Sequence, residues 1–590
     1  MMKLISYPVA IAVIGAFAAG EGMAVSSVFK GDALVQVEDR AVQSKCSERL
    51  AGLIFSSPPE KSVKVWIFFA DHGGQYQPRR ETLSKRSMRR RMMRADSAGD
   101  RHDMPVCALY IDAVRVRSLG IRQVSRYFNA VSALVEPSRI PSICSLPYVE
   151  KVDLVTVYRR ERLTEPKAAP PPLRSDDPLV GTYGGSLDQL VQIRAVDLLE
   201  LGYNGSGALT GADPVLVCVM DTGFRLDHEA FDEINIAGQW DFVQGDSIVR
   251  NDEGDHSEQD RHGTIVLGAL AGHHEGDLVG PASGADFLLA KTEIFGTEIQ
   301  VEEDNWIAGL EWADSAGADI VSSSLGYVDW YTPSMLDGDT PRCTRAADIA
   351  AAHGVLVVTA MGNGGAAGDT TLIAPADGDS VIAVGAVDRN GVIAYFSSRG
   401  PTADGRIKPD VVALGLGVQS VEYPTAYSYA SYNGTSLATP LISGLCAQIL
   451  EILPELSPVE LRNLLTSTSS RSGDPDNVYG YGLADGVAAA AVEPPEEPAA
   501  ISLRGAYPNP FRTSTKFEIA IPISEPLTVR IYDCRGALVR ELIAGRILPW
   551  GGTLTWDGTN SAGSRVAAGV YFMHFTSRHF ERTFKVLLIP

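Results

Sequence analysis

Positive charge is in short supply in this chain. Its 590 residues carry 51 Lys and Arg against 72 Asp and Glu, a formal net charge of −21. That balance argues against a nucleic-acid partner and says little about any other. Cysteine is scarcer still. There are seven, too odd a number to pair completely, and their spacing matches no metal-ligand pattern, so no disulfide framework and no metal site are expected. Cys218 and Cys446 lie inside apolar runs, where a thiol acts as a small hydrophobe, whereas Cys343 and Cys534 are expected nearer the surface. Beyond the first residues no apolar run reads as long enough to span a bilayer. What remains is an ordinary globular composition, long enough for about three or four domains.

The first stretch, residues 1–22, reads as a signal peptide: Lys3 is the positive start, Leu4 to Ala19 is apolar and small, and Ala16-Phe17-Ala18 offers a cleavage site. Export follows, to the medium or the cell surface. Residues 23–182 form a unit of different character. Val63 to Phe69 and Tyr148 to Val155 read as strands, and between them Arg79 to Arg94 is strongly basic, either helical or solvated. Lys167-Ala168-Ala169-Pro170-Pro171-Pro172 is a linker, since consecutive prolines enter neither helix nor sheet.

Residues 183–492 alternate buried strands with helices. Val215 to Met220 is continuously apolar, as a strand covered on both faces must be. Phe287–Ala290, Ile320–Ser323 and Val355–Val358 read alike. Between them Trp306, Leu310 and Ala313, then Ile349 and Ala352, keep helical spacing. The fold class is therefore α/β, a parallel sheet with helices on both faces, whose functional groups should gather at the carboxyl ends of the strands. Residues 493–500 are a second proline-rich linker. Residues 501–590 change period: Leu527 to Tyr532 alternates, Gly569 to Phe575 is another strand, and turns such as Asp557-Gly558 separate them, giving a small antiparallel sandwich.

Three motifs carry chemistry. Met220-Asp221-Thr222-Gly223 closes the first apolar strand, Arg261-His262-Gly263-Thr264 opens a helical run, and Asn433-Gly434-Thr435-Ser436-Leu437-Ala438-Thr439-Pro440 delivers a serine to the first turn of a buried helix. Pro440 is tolerable there because first-turn N–H groups lack intrahelical partners. A serine hydroxyl becomes a nucleophile when a neutral imidazole takes its proton, and a buried aspartate fixes that imidazole's tautomer. An aspartic-protease reading of Asp-Thr-Gly wants a second such loop. The chain lacks one, and a homodimer would leave the histidine and serine motifs unexplained.

In order and spacing this set resembles the subtilisin-like serine proteases, whose Gly-Thr-Ser-x-Ala-x-Pro motif is matched at every fixed position. The resemblance covers about three hundred residues and implies catalytic roles for Asp221, His262 and Ser436. It also implies an oxyanion hole formed by Asn363, in Ala360-Met361-Gly362-Asn363-Gly364, with the N–H of Ser436. Ser324, Leu325 and Gly326 match the edge that binds substrate backbone and walls the first specificity pocket. Two departures bear on substrate preference: Ile265-Val266-Leu267-Gly268 lacks the family's second histidine, and Gly364 to Thr371 is unusual. The N-terminal unit resembles a propeptide that caps the site until autocleavage between Arg162 and Tyr183, making it an intramolecular inhibitor. No cofactor is required, although Asp246, Asp252, Glu253, Asp255 and Asp260 could hold calcium, as several members do.

The last unit holds Tyr507-Pro508-Asn509-Pro510-Phe511, Trp556-Asp557-Gly558 and Gly569-Val570-Tyr571. It resembles the sorting domains of type IX secretion, which implies the secretion machinery as a partner. Together these features imply an exported endopeptidase acting on proteins or peptides, made as a zymogen and monomeric. The alternative from another class is a surface-bound binding protein on an inactive scaffold.

Overall fold

The computed structural model describes residues 42, 44–56, 62–74, 83–95, 99–155, 167–168, 179–296, 299–368, 370–491, 502–520, 526–547, 552–577 and 581–590. The signal peptide, most of the first linker and the second linker lie outside them.

The N-terminal unit is a four-stranded antiparallel sheet in the order β2-β3-β1-β4, from β1 (Val63–Phe69), β2 (Gly120–Ser125), β3 (Ala130–Val135) and β4 (Val149–Val155). Alternation along β1 serves two surfaces. Val65, Ile67 and Phe69 join the unit's own core, with residues of α1 (Glu48–Ser56), α3 (Ala108–Arg115) and α4 (Ile140–Cys144). Trp66 and Phe68 point the other way, and the Trp66 indole donates to Asp304. The basic stretch becomes helix α2 (Lys85–Arg94), N-capped by Ser84, whose hydroxyl accepts from Ser87 N. It is not simply solvated, because Arg90 and Arg91 are buried. Beyond this sheet, β5 (Lys167–Ala168) pairs elsewhere.

The central sheet has seven parallel strands in the order β14-β13-β12-β11-β6-β10-β7. They are β6 (Leu216–Asp221), β7 (Asn235–Asp241), β10 (Asp286–Lys291), β11 (Ile320–Ser323), β12 (Leu356–Ala360), β13 (Ile382–Val387) and β14 (Val411–Leu414). A two-stranded hairpin, β8 (His273–His274) with β9 (Leu278–Val279), interrupts the chain between β7 and β10. Every residue of β6 is buried. Val217 and Val219 face one layer, with α5 (Arg261–Ala271) and α8 (Thr435–Ile452). Leu216, Cys218 and Met220 face the other, with α6 (Gln300–Ala316) and α7 (Arg342–Ala352). This is the α/β sheet with helices on both faces. One expectation fails here: α8 is long and apolar enough to span a bilayer, but 94% of it is buried inside the protein, so it is a core helix.

A hairpin of β15 (Leu416–Val421) and β16 (Tyr429–Asn433) leads directly into α8. Strand β5 adds to it antiparallel, with Lys167 opposite Tyr432 and Ala168 opposite Ser431. The C-terminal unit has two antiparallel sheets. The first joins β17 (Ser502–Tyr507), β18 (Thr515–Ala520) and β21 (Gly552–Trp556). The second joins β19 (Pro526–Asp533), β20 (Leu538–Ile547), β22 (Gly569–Thr576) and β23 (Glu581–Leu588). Phe517 and Trp556 of one sheet and Ile531, Met573 and Phe575 of the other share one core, as a sandwich requires.

Candidate active site

Asp221 is the last residue of β6 and is fully buried. Its Oδ1 accepts from Thr222 N at 2.7 Å and Thr222 Oγ1 at 3.2 Å. The same oxygen lies 2.6 Å from His262 Nδ1. His262 stands in the first turn of α5, and the next residue explains how the helix comes so close. A Cβ on Gly263 would lie 2.2 Å from Gly223 O and 2.9 Å from Asp221 Cβ, so only glycine lets the helix start against the Asp221 loop. The imidazole remains partly exposed, its side chain at 16%.

Ser436 is the second residue of α8, with Gly434 before it at φ 157°. Two polar contacts tie this turn to its neighbours. Ser324 Oγ donates to Ser436 O at 2.7 Å. Asn363 Oδ1 accepts from Thr435 N at 3.0 Å and from Thr435 Oγ1 at 2.9 Å. With its oxygen held by those two donors, the Asn363 amide must turn its Nδ2 the other way. Asn363 itself is exposed, on the loop after β12. Ser398 steadies that loop, its Oγ accepting from Gly364 N and its N–H donating to Gly362 O. Ser324 and Leu325 are buried behind β11. Gly326 lies so close to Ile373 that a Cβ would come within 2.4 Å of Cδ1. The sequence motifs thus bring Asp221 to His262, and Asn363 and Ser324 to the Ser436 turn. The carboxyl ends of β6, β11 and β12 supply three of these groups.

The acidic loop before His262 does not gather its oxygens around a common point. Asp255 meets the Lys291 ammonium at 2.7 Å, and Asp241 meets the same ammonium at 2.7 Å. Asp246 accepts from Ile248 N and Asp260 from Asn251 N. Three of the five expected carboxylates thus serve an ammonium or the backbone, and among the described residues the five form no cluster of metal-type ligands. Among the described residues, the two groupings of metal-type ligands both involve His353, where Arg91 and Arg126 already meet Asp314. Another expectation fails: Cys343 is fully buried, on the inner face of α7.

Sequence reasoning missed the polar interface around α2. Arg90 donates to Asp314, as do Arg91 at 2.7 Å and Arg126 at 2.7 Å, Tyr127 at 2.9 Å, and His353 Nδ1 lies 3.0 Å away. Burial alone would raise the Asp314 pKa, but His353 and the guanidiniums hold it well below the usual carboxylate range. Arg86 and Arg94 meet Asp319 at 2.8 Å each. The signal was present as a spacing: Arg86, Arg90 and Arg94 recur every four residues, which places them on one helix face.

A parallel sheet carrying a carboxylate–imidazole pair and a serine at a helix start is the architecture of a hydrolase that works through an activated hydroxyl. Comparison with known proteins gives the particular family. Residues 212–482 match the Subtilase family, and residues 64–169 match the Peptidase S8 propeptide domain of Bacteroidota. Subtilisin DY of Bacillus licheniformis is 35% identical over 300 residues, 50% of this chain and 96% of that protein. Subtilisin Savinase of Lederbergia lenta is 35% identical over 284 residues, covering 48% and 92%. Subtilisin E of Bacillus subtilis (strain 168) is 29% identical over 384 residues, covering 64% and 85%. The chain belongs to the subtilase family and is a serine-type endopeptidase with a propeptide domain.

Proposed function

We propose that Ser436 is the nucleophile of an exported endopeptidase made as a zymogen. Ser436 Oγ attacks the peptide carbonyl while the His262 imidazole takes its proton and later gives it to the leaving amine. Asp221 holds the Nδ1–H of His262 and stabilises the imidazolium. The backbone N–H of Ser436 and Nδ2 of Asn363 bind the oxyanion, and Ser324–Gly326 pairs with substrate backbone. The observation that carries this reading is the 2.6 Å contact of His262 Nδ1 with Asp221 Oδ1. The contacts of Asn363 and Ser324 with the Ser436 turn add support.

The zymogen half of the reading is supported by β5. The strand β16 it pairs with runs straight into the Ser436 turn, and in that antiparallel register Lys167 lies nearer the turn than Ala168 does. Processing therefore falls on the N-terminal side of β5, and the propeptide is the intramolecular inhibitor. Export rests on residues 1–22, and engagement of secretion machinery on the motifs of residues 501–590. A fluorophosphonate probe tests the core claim: it should label wild-type protein at Ser436 and leave Ser436→Ala unlabelled. Equal labelling of both proteins would overturn it.

A further inference from the structure

Two thiols of the propeptide touch. Cys46 Sγ lies 3.2 Å from Cys144 Sγ across 98 residues of sequence. Their backbones are pinned from both sides. Cys46 forms a parallel bridge with Val152 in β4, and its neighbour Lys45 donates from Nζ to Leu146 O at 3.0 Å. Cys144 is the last residue of α4, and the chain from there runs into β4. The two sulfurs therefore meet because the backbone brings them together, and a small side-chain rotation would join them. Cys144 is buried among Val42, Leu50 and Ile140. Cys46 is half-buried and lines the open cleft between the propeptide and α7, whose mouth gives a small oxidant access.

We propose that Cys46 and Cys144 form a disulfide that clamps the chain entering α1 to the end of α4. The physiological setting rests on the export reading above, since such bonds persist in oxidising compartments. The chemistry is thiol–disulfide exchange with an external disulfide of the glutathione class. A thiolate of the pair attacks the oxidant and releases one reduced thiol. The second thiolate then attacks the mixed disulfide and releases the other. Two protons and two electrons leave the pair, one S–S bond breaks in the oxidant, and one forms in the protein. The arrangement favours the step. The hydrogen bond from Cys46, with the Lys45 ammonium nearby, holds the Cys144 thiol below its ordinary pKa, while that same bond and burial push Cys46 up. The bond would close a long loop around most of the propeptide core, where loop-closure constraint is greatest.

The test uses the full chain carrying Ser436→Ala, purified reduced, then equilibrated in a glutathione redox buffer, denatured and alkylated. The expected result is loss of two hydrogens and one cross-linked peptide pair containing Cys46 and Cys144. Cys107, Cys218, Cys343 and Cys446 should remain alkylated. Cys46→Ser in the same background should abolish the cross-link and leave Cys144 alkylated. An uncrosslinked Cys46 and Cys144 in that buffer, or a bond from either to another cysteine, would overturn the proposal. Because the oxidant is supplied in the tube, either result stands whatever compartment the protein occupies.

Discussion

Asp221 and Asp314 are both fully buried, but the first meets one imidazole and two groups of Thr222, whereas the second meets three guanidiniums, a phenol and an imidazole. Among the described residues, the other oxygen of Asp221 has no hydrogen-bond partner. Asp314 has both oxygens engaged. A carboxylate that must stabilise a charge arriving on its partner cannot already be saturated by fixed cations. One that must hold two chain segments together gains from every added donor, because each buried charge left unpaired is costly. With Asp221 in its proposed role, the active site and the propeptide interface use the same side chain under opposite rules.

The comparison breaks most severely at the proposed nucleophile. Ser436→Ala should lower kcat by about 10⁶-fold and leave the precursor uncleaved, measured by peptide hydrolysis and by mass spectrometry of the purified chain. Asp314→Asn should act on the other side of the contrast. Loss of its charge leaves Arg90, Arg91 and Arg126 without their shared anion, at a cost of about 3–5 kcal/mol. Propeptide affinity should fall roughly 10²–10⁴-fold, with kcat of the processed enzyme unchanged. Inhibition by propeptide added in trans measures the first quantity and steady-state kinetics the second. A parallel fall in kcat would mean that Asp314 supports the catalytic sheet rather than docking.

Asn363→Leu sharpens the active-site half. It removes the proposed oxyanion donor at similar volume, so kcat should fall by about 10²–10³-fold with KM little changed. The variant also releases Thr435 N and Oγ1 from their shared acceptor, so thermal melting must accompany the kinetics. A folded Asn363→Leu enzyme with near-normal kcat would make Asn363 a turn residue.

The contrast also explains what the sequence could reveal. Val215 to Met220 declares a strand covered on both faces, because both of its alternating sets are apolar. Asp221, His262, Ser436 and Asn363 are legible because each sits at a strand end or helix start beside glycines that backbone geometry demands. The interface is less legible. Arg79 to Arg94 reads as either helical or solvated, and nothing local shows that its arginines are buried, because burial of a guanidinium depends on a partner far away in sequence, here 223 residues on for Arg91 and Asp314. Cys343 was misplaced for a related reason. Its immediate neighbours Arg342 and Thr344 are polar, yet Cys343, Ala346, Ala347 and Ala350 share the buried face of α7. Helical period would have found it, where local polarity did not.

The smallest predicted effect is a pH dependence of docking. Burial pushes Glu311 up to about 7, against the opposing pull of Arg126 and Ser125, and Asp304 up to about 6, against Ser132. Both lie on α6 beneath the propeptide, so these shifts belong to the docked form, and undocking returns each carboxyl toward its ordinary value. A carboxyl whose pKa is raised on docking favours docking while it is protonated, and that contribution is lost as pH rises through the raised value. His353 acts in the same direction: burial lowers its pKa, but Asp100 and Asp314 outweigh burial and raise it, so its contribution also fades as pH rises. Asp314 and Asp319, held low by the arginines, oppose this only on the acid side, where docking weakens as they protonate. Propeptide inhibition should therefore be tightest near pH 4–5 and weaken by about tenfold or more toward pH 8. The inhibition constant measured across that range checks it. Glu311→Gln, which mimics the protonated form and keeps a hydrogen-bonding group beside Ser125 and Arg126, should reduce the slope between about pH 5 and 8, and Asp314→Asn, which removes one of the groups that raise His353, should reduce only the share that His353 contributes. An unchanged slope in Glu311→Gln would place the titration elsewhere in the interface.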